Sequence, residues 1–392
     1  MSVERVPPER RLRIAVLGDF DGVHTRSWLR WFIDRGHELH AISYYEPREP
    51  IDGVTLHVLR PGRRSSGGAA ARRSAPSRVP RGAIRLVHAV RYWRAGLRRV
   101  VREIAPDVLH AHFLVEHGFY GMAARFHPYV VTAWGSDVLV EPSRDLASGM
   151  IARRVARSAD LLTSNNAYMA ERIVALGAPR DRVHVVTLGA DRFFLDAWER
   201  SVNVRPPEPG RTPAVISTRA HEALYNVGEI IDAVALAENI EDTRLVVAHG
   251  GPEAEELHRR AAPLGGRVGF AGFLDQAAFR DALSDAEVFV SVPSSDGTSV
   301  ALLQAMAVGC FPIVSDLPTQ RELVEDGVNG FRVPLHCSSC LAEAIERALA
   351  DPELRRRAAE ANRRIVEERG LNETQMLRME ELFLSLLDRP AA

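Results

Sequence analysis

Short apolar runs alternate along this chain with amphipathic stretches, and each pair is closed by turn residues. Arg13-Ile-Ala-Val-Leu-Gly18 reads as a buried strand and Asp19 to Thr25 as the loop after it. Arg26 to Arg35 carries helical periodicity and stops at Gly36, and His37 to Ser43 is again strand-like. Further strands are predicted at Asp107–His110, Tyr129–Thr132, Leu161–Thr163 and Val183–Val186. The pattern restarts at Ala214–Ser217 and continues through Arg244–Ala248, Arg267–Phe270, Val288–Val292 and Phe311–Val314, with a helix between successive strands. Strand-helix alternation of this kind predicts α/β architecture: two doubly wound, Rossmann-like domains facing across a cleft. The boundaries read as 1–190 for the first domain, a Pro- and charge-rich linker at 191–210, a second domain at 211–372 and a last helix within 373–392.

Composition then excludes several chemistries. The chain has 392 residues, enough for two domains, and a formal net charge of −1, which gives no overall attraction to nucleic acid. All 50 basic residues are Arg. Without Lys there is no Schiff-base chemistry on pyridoxal phosphate and no Walker-type phosphate loop. Three cysteines, Cys310, Cys337 and Cys340, predict no disulfide framework and a reducing compartment. Cys337-Ser-Ser-Cys340 beside His336 lacks the second ligand pair that zinc wants, so two thiols at a helix start are the plainer reading. The N-terminus is charged and no apolar run reaches membrane-spanning length, so a cytoplasmic protein is expected.

One segment is more informative than the rest. Ser294-Ser-Asp-Gly-Thr-Ser-Val-Ala-Leu-Leu-Gln-Ala-Met-Ala-Val-Gly309 reads as a turn, a helix and a glycine stop between two strands. Asp296-Gly297 is turn chemistry, and Thr298 or Ser299 can cap the helix. The free N–H groups of such a helix start favour an anion, for example a diphosphate. Gln304 is the lone polar side chain in an otherwise apolar helix, and a ligand hydroxyl is one candidate partner.

This segment, with the tail Ser315 to Pro334, resembles the donor-site signature of family 4 retaining glycosyltransferases, which have the GT-B fold. The resemblance runs from Arg13 to about Leu387 and is more specific in the second half. It implies a carboxylate touching the donor sugar at Asp296 and a ribose-binding residue at Gln304. Both positions usually hold Glu in that family; Asp is one methylene shorter and Gln lacks the charge. It further implies that Arg219 neutralises the donor diphosphate, with Tyr225-Asn226 standing where the family has a Lys. The loop His249-Gly250-Gly251-Pro252 resembles the one near the nucleotide base, or is a plain strand-to-helix turn.

On the first domain the resemblance places an acceptor-side loop at Gly22, Val23 and His24. Asp19-Phe-Asp21 matches a short metal-binding pattern, but it sits where the family has that loop, so no metal is expected. His110-Ala-His112 ends a strand; His112 is expected to face the cleft and His110 the core. Trp134 stands where many members have His. Asp137, three residues on, is either an acceptor-hydroxyl binder or a helix N-cap. Asp296, His112 and Asp137 are thus the candidate catalytic residues.

The implied activity is transfer of a sugar from a nucleotide diphosphate to a hydroxyl, with retention and without a cofactor or metal. The acceptor would be a small molecule, a glycan or a lipid-linked compound. Rival readings are a GT-B-type sugar-nucleotide epimerase and a non-catalytic nucleotide-sugar-binding subunit. Finally, thirteen Arg and no acidic residue lie between Arg60 and Arg102. Leu86, Val90, Trp93, Leu97, Val100 and Ile104 there have helical spacing. The loop Arg60–Arg81 is a candidate contact with an anionic membrane surface on the inner face. No nucleic-acid-binding motif accompanies the charge.

Overall fold

The apolar runs become the strands of two parallel sheets. The computed structural model describes residues 10–59, 87–88, 90–92, 96–206, 208, 210–238 and 242–388. The first sheet contains β1 (Arg13–Leu17), β2 (Glu38–Ser43), β3 (Val54–Val58), β4 (Val108–His112), β5 (Tyr129–Thr132), β6 (Leu161–Ser164) and β7 (Val183–Val185). Their order is β3-β2-β1-β4-β5-β6-β7, and every pairing is parallel. The second sheet contains β8 (Ala214–Ser217), β9 (Arg244–Ala248), β10 (Val268–Gly272), β11 (Val288–Ser291), β12 (Phe311–Ser315) and β13 (Phe331–Val333). Its order is β10-β9-β8-β11-β12-β13, again all parallel.

A parallel strand needs a crossover on each face, so its central members are buried on both sides. Accordingly, every residue of β4, β5, β6, β8, β11 and β12 is buried. The chain reverses its winding between β1 and β4 in the first sheet and between β8 and β11 in the second. Loops leaving the carboxyl ends of such a pair diverge, and ligands of open α/β sheets sit there.

Two strands escaped the sequence reading. β3 is an edge strand with a half-exposed pattern, and β13 has three residues, too few for periodicity. The first helix spans Val23–Asp34, three residues earlier than the expected Arg26 start. In the helix Leu97–Ile104 the buried stripe is Leu97, Val101 and Ile104, with Val100 half-buried at its edge. Leu86, Trp93 and the whole loop Arg60–Arg81 lie outside the described residues.

The chain divides into one unit ending at Val186 and resuming at Met376, and a second unit of Thr187–Gln375. The stretch read as a linker is folded into the second unit. Arg192–Leu195 is a short helix there, and Phe194, Leu195 and Ala197 join that unit's core. The last helix, Asn372–Leu387, continues into the first unit, where Phe383 stacks on Phe32 with ring centroids 5.7 Å apart. The cysteine expectation is corrected. Cys337 and Cys340 are joined, because the two-residue spacing at a helix start brings their Cα atoms to 5.3 Å, within disulfide reach. Cys310 is the buried free thiol, and its Sγ donates to the Ala286 carbonyl at 3.2 Å.

The last helix also brings a charge into the first unit. Glu380 Oε2 accepts from Arg35 Nη2 and its Oε1 from His37 Nε2, both at 2.8 Å, and the three side chains are 5%, 10% and 0% exposed. The Leu12 N–H donates to His37 Nδ1 at 3.1 Å, so the His proton sits on Nε2 and points at Glu380. Glu380→Ala removes the carboxylate shared by two buried donors. The expected loss is about 3 kcal/mol of stability, read from tryptophan fluorescence during urea unfolding.

Candidate functional site

In the second unit, the end of β8 and the loop after β11 place four predicted residues together. Arg219 Nη2 donates to Asp296 Oδ2 at 2.9 Å and Nη1 donates to Ser299 Oγ at 2.7 Å. The guanidinium lies over the Tyr225 ring, 4.2 Å from its centroid. Ser299 is the N-cap of the helix Val300–Val308, and its Oγ also accepts from the Leu302 N–H at 3.3 Å. The site is therefore a cation, a carboxylate and a helix N-terminus at the winding reversal between β8 and β11. The Arg219 and Asp296 side chains are 11% and 19% exposed. Burial raises the Asp296 carboxyl above its ordinary value, and Arg219 pulls it back down.

Asn226 has a different part from the expected ligand contact. Its Nδ2 donates to the Val292 carbonyl at 2.8 Å and to Ser294 Oγ at 2.9 Å, tying this loop to the strand that ends before Asp296. It adopts φ 51°, a left-handed conformation that Asn tolerates. Gly251 is required by close approach: a Cβ there would lie 2.5 Å from the His221 carbonyl oxygen. Gly250 passes beside Phe273, which is 76% exposed and 4.5 Å, centroid to centroid, from the His249 ring. Gln304 is half-buried, as are Asp296 and Thr298, while Gly297 is buried.

Sequence reasoning missed Thr319. It is 2% exposed and its Oγ1 donates to the Asp296 carbonyl at 2.9 Å, which fixes the turn that aims the carboxylate. Its signal was the tail after β12, Ser315-Asp-Leu-Pro-Thr319.

The first unit revises three expectations. Val23 and His24 are not loop residues; they form the first turn of a helix whose N-cap is Gly22. Gly22 N donates to the Asp19 carbonyl at 3.1 Å, so Asp-x-Asp-Gly is a turn that starts the helix. Asp19 serves that turn, its Oδ1 accepting from Asp21 N at 3.3 Å, while Asp21 Oδ1 accepts from Arg48 N at 2.8 Å and ties the turn to the segment after β2. Among the described residues, no group of three or more His, Cys, Asp or Glu is placed to hold a metal ion.

His112 is not turned outward either. It is fully buried, packed on Gly18 and held at Nδ1 by Thr25 Oγ1 at 3.3 Å, because helix Val23–Asp34 and Trp28 close over the end of β4. His110 is core, as expected, with Nε2 hydrogen-bonded to Thr132 Oγ1 at 2.7 Å. Asp137 neither caps a helix nor offers oxygens to a ligand. Its Oδ2 accepts from Leu114 N at 2.7 Å, and its Oδ1 accepts from Trp134 N at 3.0 Å and Gly135 N at 2.8 Å. It clamps the loops after β4 and β5 together, and burial raises its pKa against those three donors. What faces outward is aromatic: His24 is exposed and stacks parallel on half-buried Trp134, with centroids 5.5 Å apart and planes at 13°.

Comparison with known proteins follows the same division. The profile described as glycosyl transferases group 1 matches residues 203–365, and that of the glycosyl transferase 4-like domain matches 22–189. A lipopolysaccharide core biosynthesis glycosyltransferase of Rhizobium meliloti is 30% identical over 207 residues, 52% of this chain and 58% of that one. A phosphatidyl-myo-inositol mannosyltransferase of Mycobacterium leprae is 32% identical over 165 residues, 40% and 43% of the two chains. The chain spans about half the length of the curated relatives it matches. In fold it is similar to the Anabaena protein Alr3699/HepE solved with UDP-glucose, with TM-score 0.71, 17% identity and coverage of 96% and 100%. A sucrose-phosphate synthase of Thermosynechococcus elongatus gives TM-score 0.72 at 18% identity, with coverage of 96% and 99%.

The buried histidines generate a pH dependence. Burial pushes the His112 imidazole down to about 3 from its usual 6.5, helped by the neighbouring charge of His117. Burial, then His112, also lowers His110. Between about pH 6.5 and 3 the unfolded chain binds a proton at His112 that the folded chain refuses. The stabilisation is therefore complete above pH 6.5 and is lost as pH falls. His112→Gln should flatten the decline of the unfolding temperature between pH 7 and pH 4. Parallel wild-type and variant profiles in thermal scans would show that His112 titrates normally.

Proposed function

This chain belongs to the glycosyltransferases, group 1 over its second half and 4-like over its first, with the GT-B fold, and from that premise we propose that it transfers a sugar from a nucleotide diphosphate donor to an acceptor hydroxyl with retention. The observation that carries the proposal is the Arg219–Asp296–Ser299 cluster at a helix N-terminus. Its parts match what a sugar diphosphate presents. The diphosphate takes the Arg219 guanidinium and the first N–H groups of the helix Val300–Val308. Asp296 is then released to a hydroxyl of the sugar. The ribose falls to Gln304, and the base to the His249–Gly251 loop beside exposed Phe273.

In this mechanism Arg219 and the helix start stabilise charge on the departing diphosphate, so no metal or cofactor is required. The leaving phosphate takes the acceptor proton on the face it leaves, which gives retention without a protein nucleophile. On the first unit, the stacked pair His24 and Trp134 is the surface we assign to an acceptor, which would be a glycan, a small molecule or a lipid-linked compound. His112 and Asp137, buried and internally bonded, hold that surface in shape.

The test is incubation with a panel of nucleotide sugars, with and without acceptors, following nucleotide release and the product's anomeric configuration. Transfer with retention, unaffected by a chelator, is expected; inversion or chelator-sensitive activity would overturn the mechanism. Sugar interconversion without nucleotide release would make it an epimerase. Asp296→Ala should lower turnover by at least a hundredfold, while binding of the bare nucleotide changes less than tenfold. Gln304→Glu should bind nucleotide equally or more tightly, because a carboxylate accepts from two ribose hydroxyls with charge assistance. A tenfold weakening, about 1.4 kcal/mol, would mean the Gln304 amide donates instead.

A further inference from the structure

The helix Leu146–Ser158 of the first unit shows solvent an outer side that sugar transfer does not use. Leu146 is 89% and Met150 63% exposed, and exposed Arg153, Arg154 and Arg157 follow at helical spacing on that side. Beside it lies a depression of about 1060 Å³ with an apolar floor that includes Phe119, Met122 and Phe126. Its rim carries Arg98, Arg125, Arg153, Arg154 and Arg157, and no Asp or Glu lines it.

These guanidiniums converge from three separate segments. Arg98 comes from the helix Leu97–Ile104, where its Nε donates to the Ala123 carbonyl at 2.8 Å. Arg125 comes from the turn before β5, and three come from the last two turns of Leu146–Ser158. A helix C-terminus accounts for cations on its own last turn. It does not account for Arg98 and Arg125 meeting them over an apolar floor.

The depression opens at the amino ends of β5 and β6, since His127 precedes the one and Ser158 the other. Trp134 and His112 stand at the carboxyl ends of β5 and β4, on the opposite edge of the same sheet. A ligand in the depression is therefore not the acceptor at the point of reaction.

We propose that this face docks on an anionic phospholipid surface. The arginines fork onto headgroup phosphates, and Leu146, Met150 and the aromatic floor enter the boundary between headgroups and acyl chains. An acidic peptide would answer the charge but leave the apolar floor uncovered; a phospholipid answers both. The inference does not rest on the sugar-transfer reading, because docking needs neither donor nor acceptor.

The experiment is co-sedimentation of the full chain with phosphatidylglycerol or phosphatidylcholine vesicles at low and high salt. Wild type should partition onto phosphatidylglycerol vesicles at low salt, leave them at high salt and ignore phosphatidylcholine. The variant Arg153→Gln/Arg154→Gln/Arg157→Gln should lose at least tenfold in partitioning, and Met150→Glu severalfold. A variant with Arg356, Arg357 and Arg364 changed to Gln, on an exposed helix of the second unit, makes the same change in charge and should bind like wild type. Circular dichroism confirms that each variant is folded. The proposal is overturned if wild type stays in solution with phosphatidylglycerol at low salt. It is equally overturned if the first triple variant binds as wild type does, which would move the contact to other arginines. Equal losses in both triple variants would also sink it, by reducing the effect to net charge.

Discussion

A guanidinium that is mostly removed from water needs acceptors for its donors, and Arg219 is organised around that need. Asp296 and Ser299 accept from its two terminal nitrogens and its plane lies over Tyr225, while the buried Nε has no hydrogen-bond partner among the described residues. Each of those groups is fixed in turn: Ser299 by the helix it caps, Asp296 by Thr319 at its backbone. The loop carrying Asn226 is tied by that residue to β11 and Ser294. Within the cluster the cation and the carboxylate pair with one another at 2.9 Å.

The first unit solves the corresponding problem with backbone donors. Asp137 collects three N–H groups from two loops, and His112 rests on Thr25 beneath Trp28. These polar side chains sit beneath the carboxyl edge of the first sheet and shape it. Desolvation keeps both histidines neutral, which suits a scaffold better than a proton shuttle working near neutral pH.

The sequence revealed most where one physical requirement dictates residue type. Parallel strands buried on two faces leave unbroken apolar runs, so β1, β4, β8 and β11 were legible. The Asp296–Ser299 turn was legible because its capping chemistry is local. β3 and β13 were not, since an edge strand and a three-residue strand take their stability from pairing partners far along the chain. The outward reading of His112 failed for a similar reason. Position at a strand's end suggests exposure, but a helix starting at Val23 covers it, and nothing near His112 announces that helix. Asp137 was misread because its three donors are backbone atoms, which residue types do not display. The arginine-rimmed depression was invisible because it is assembled from segments that follow one another only in space.

The terminal helix sets an order of assembly. Glu380 and Phe383 complete the interior of the first unit, yet they are translated after the entire second unit. On the ribosome the earlier unit therefore waits, with Phe32, Arg35 and His37 lacking the contacts that the last helix supplies, until Glu380 and Phe383 have emerged. The later unit, contiguous in sequence, is free to finish first. Synthesis from the N-terminus and completion of the native structure thus run in opposite directions along this chain.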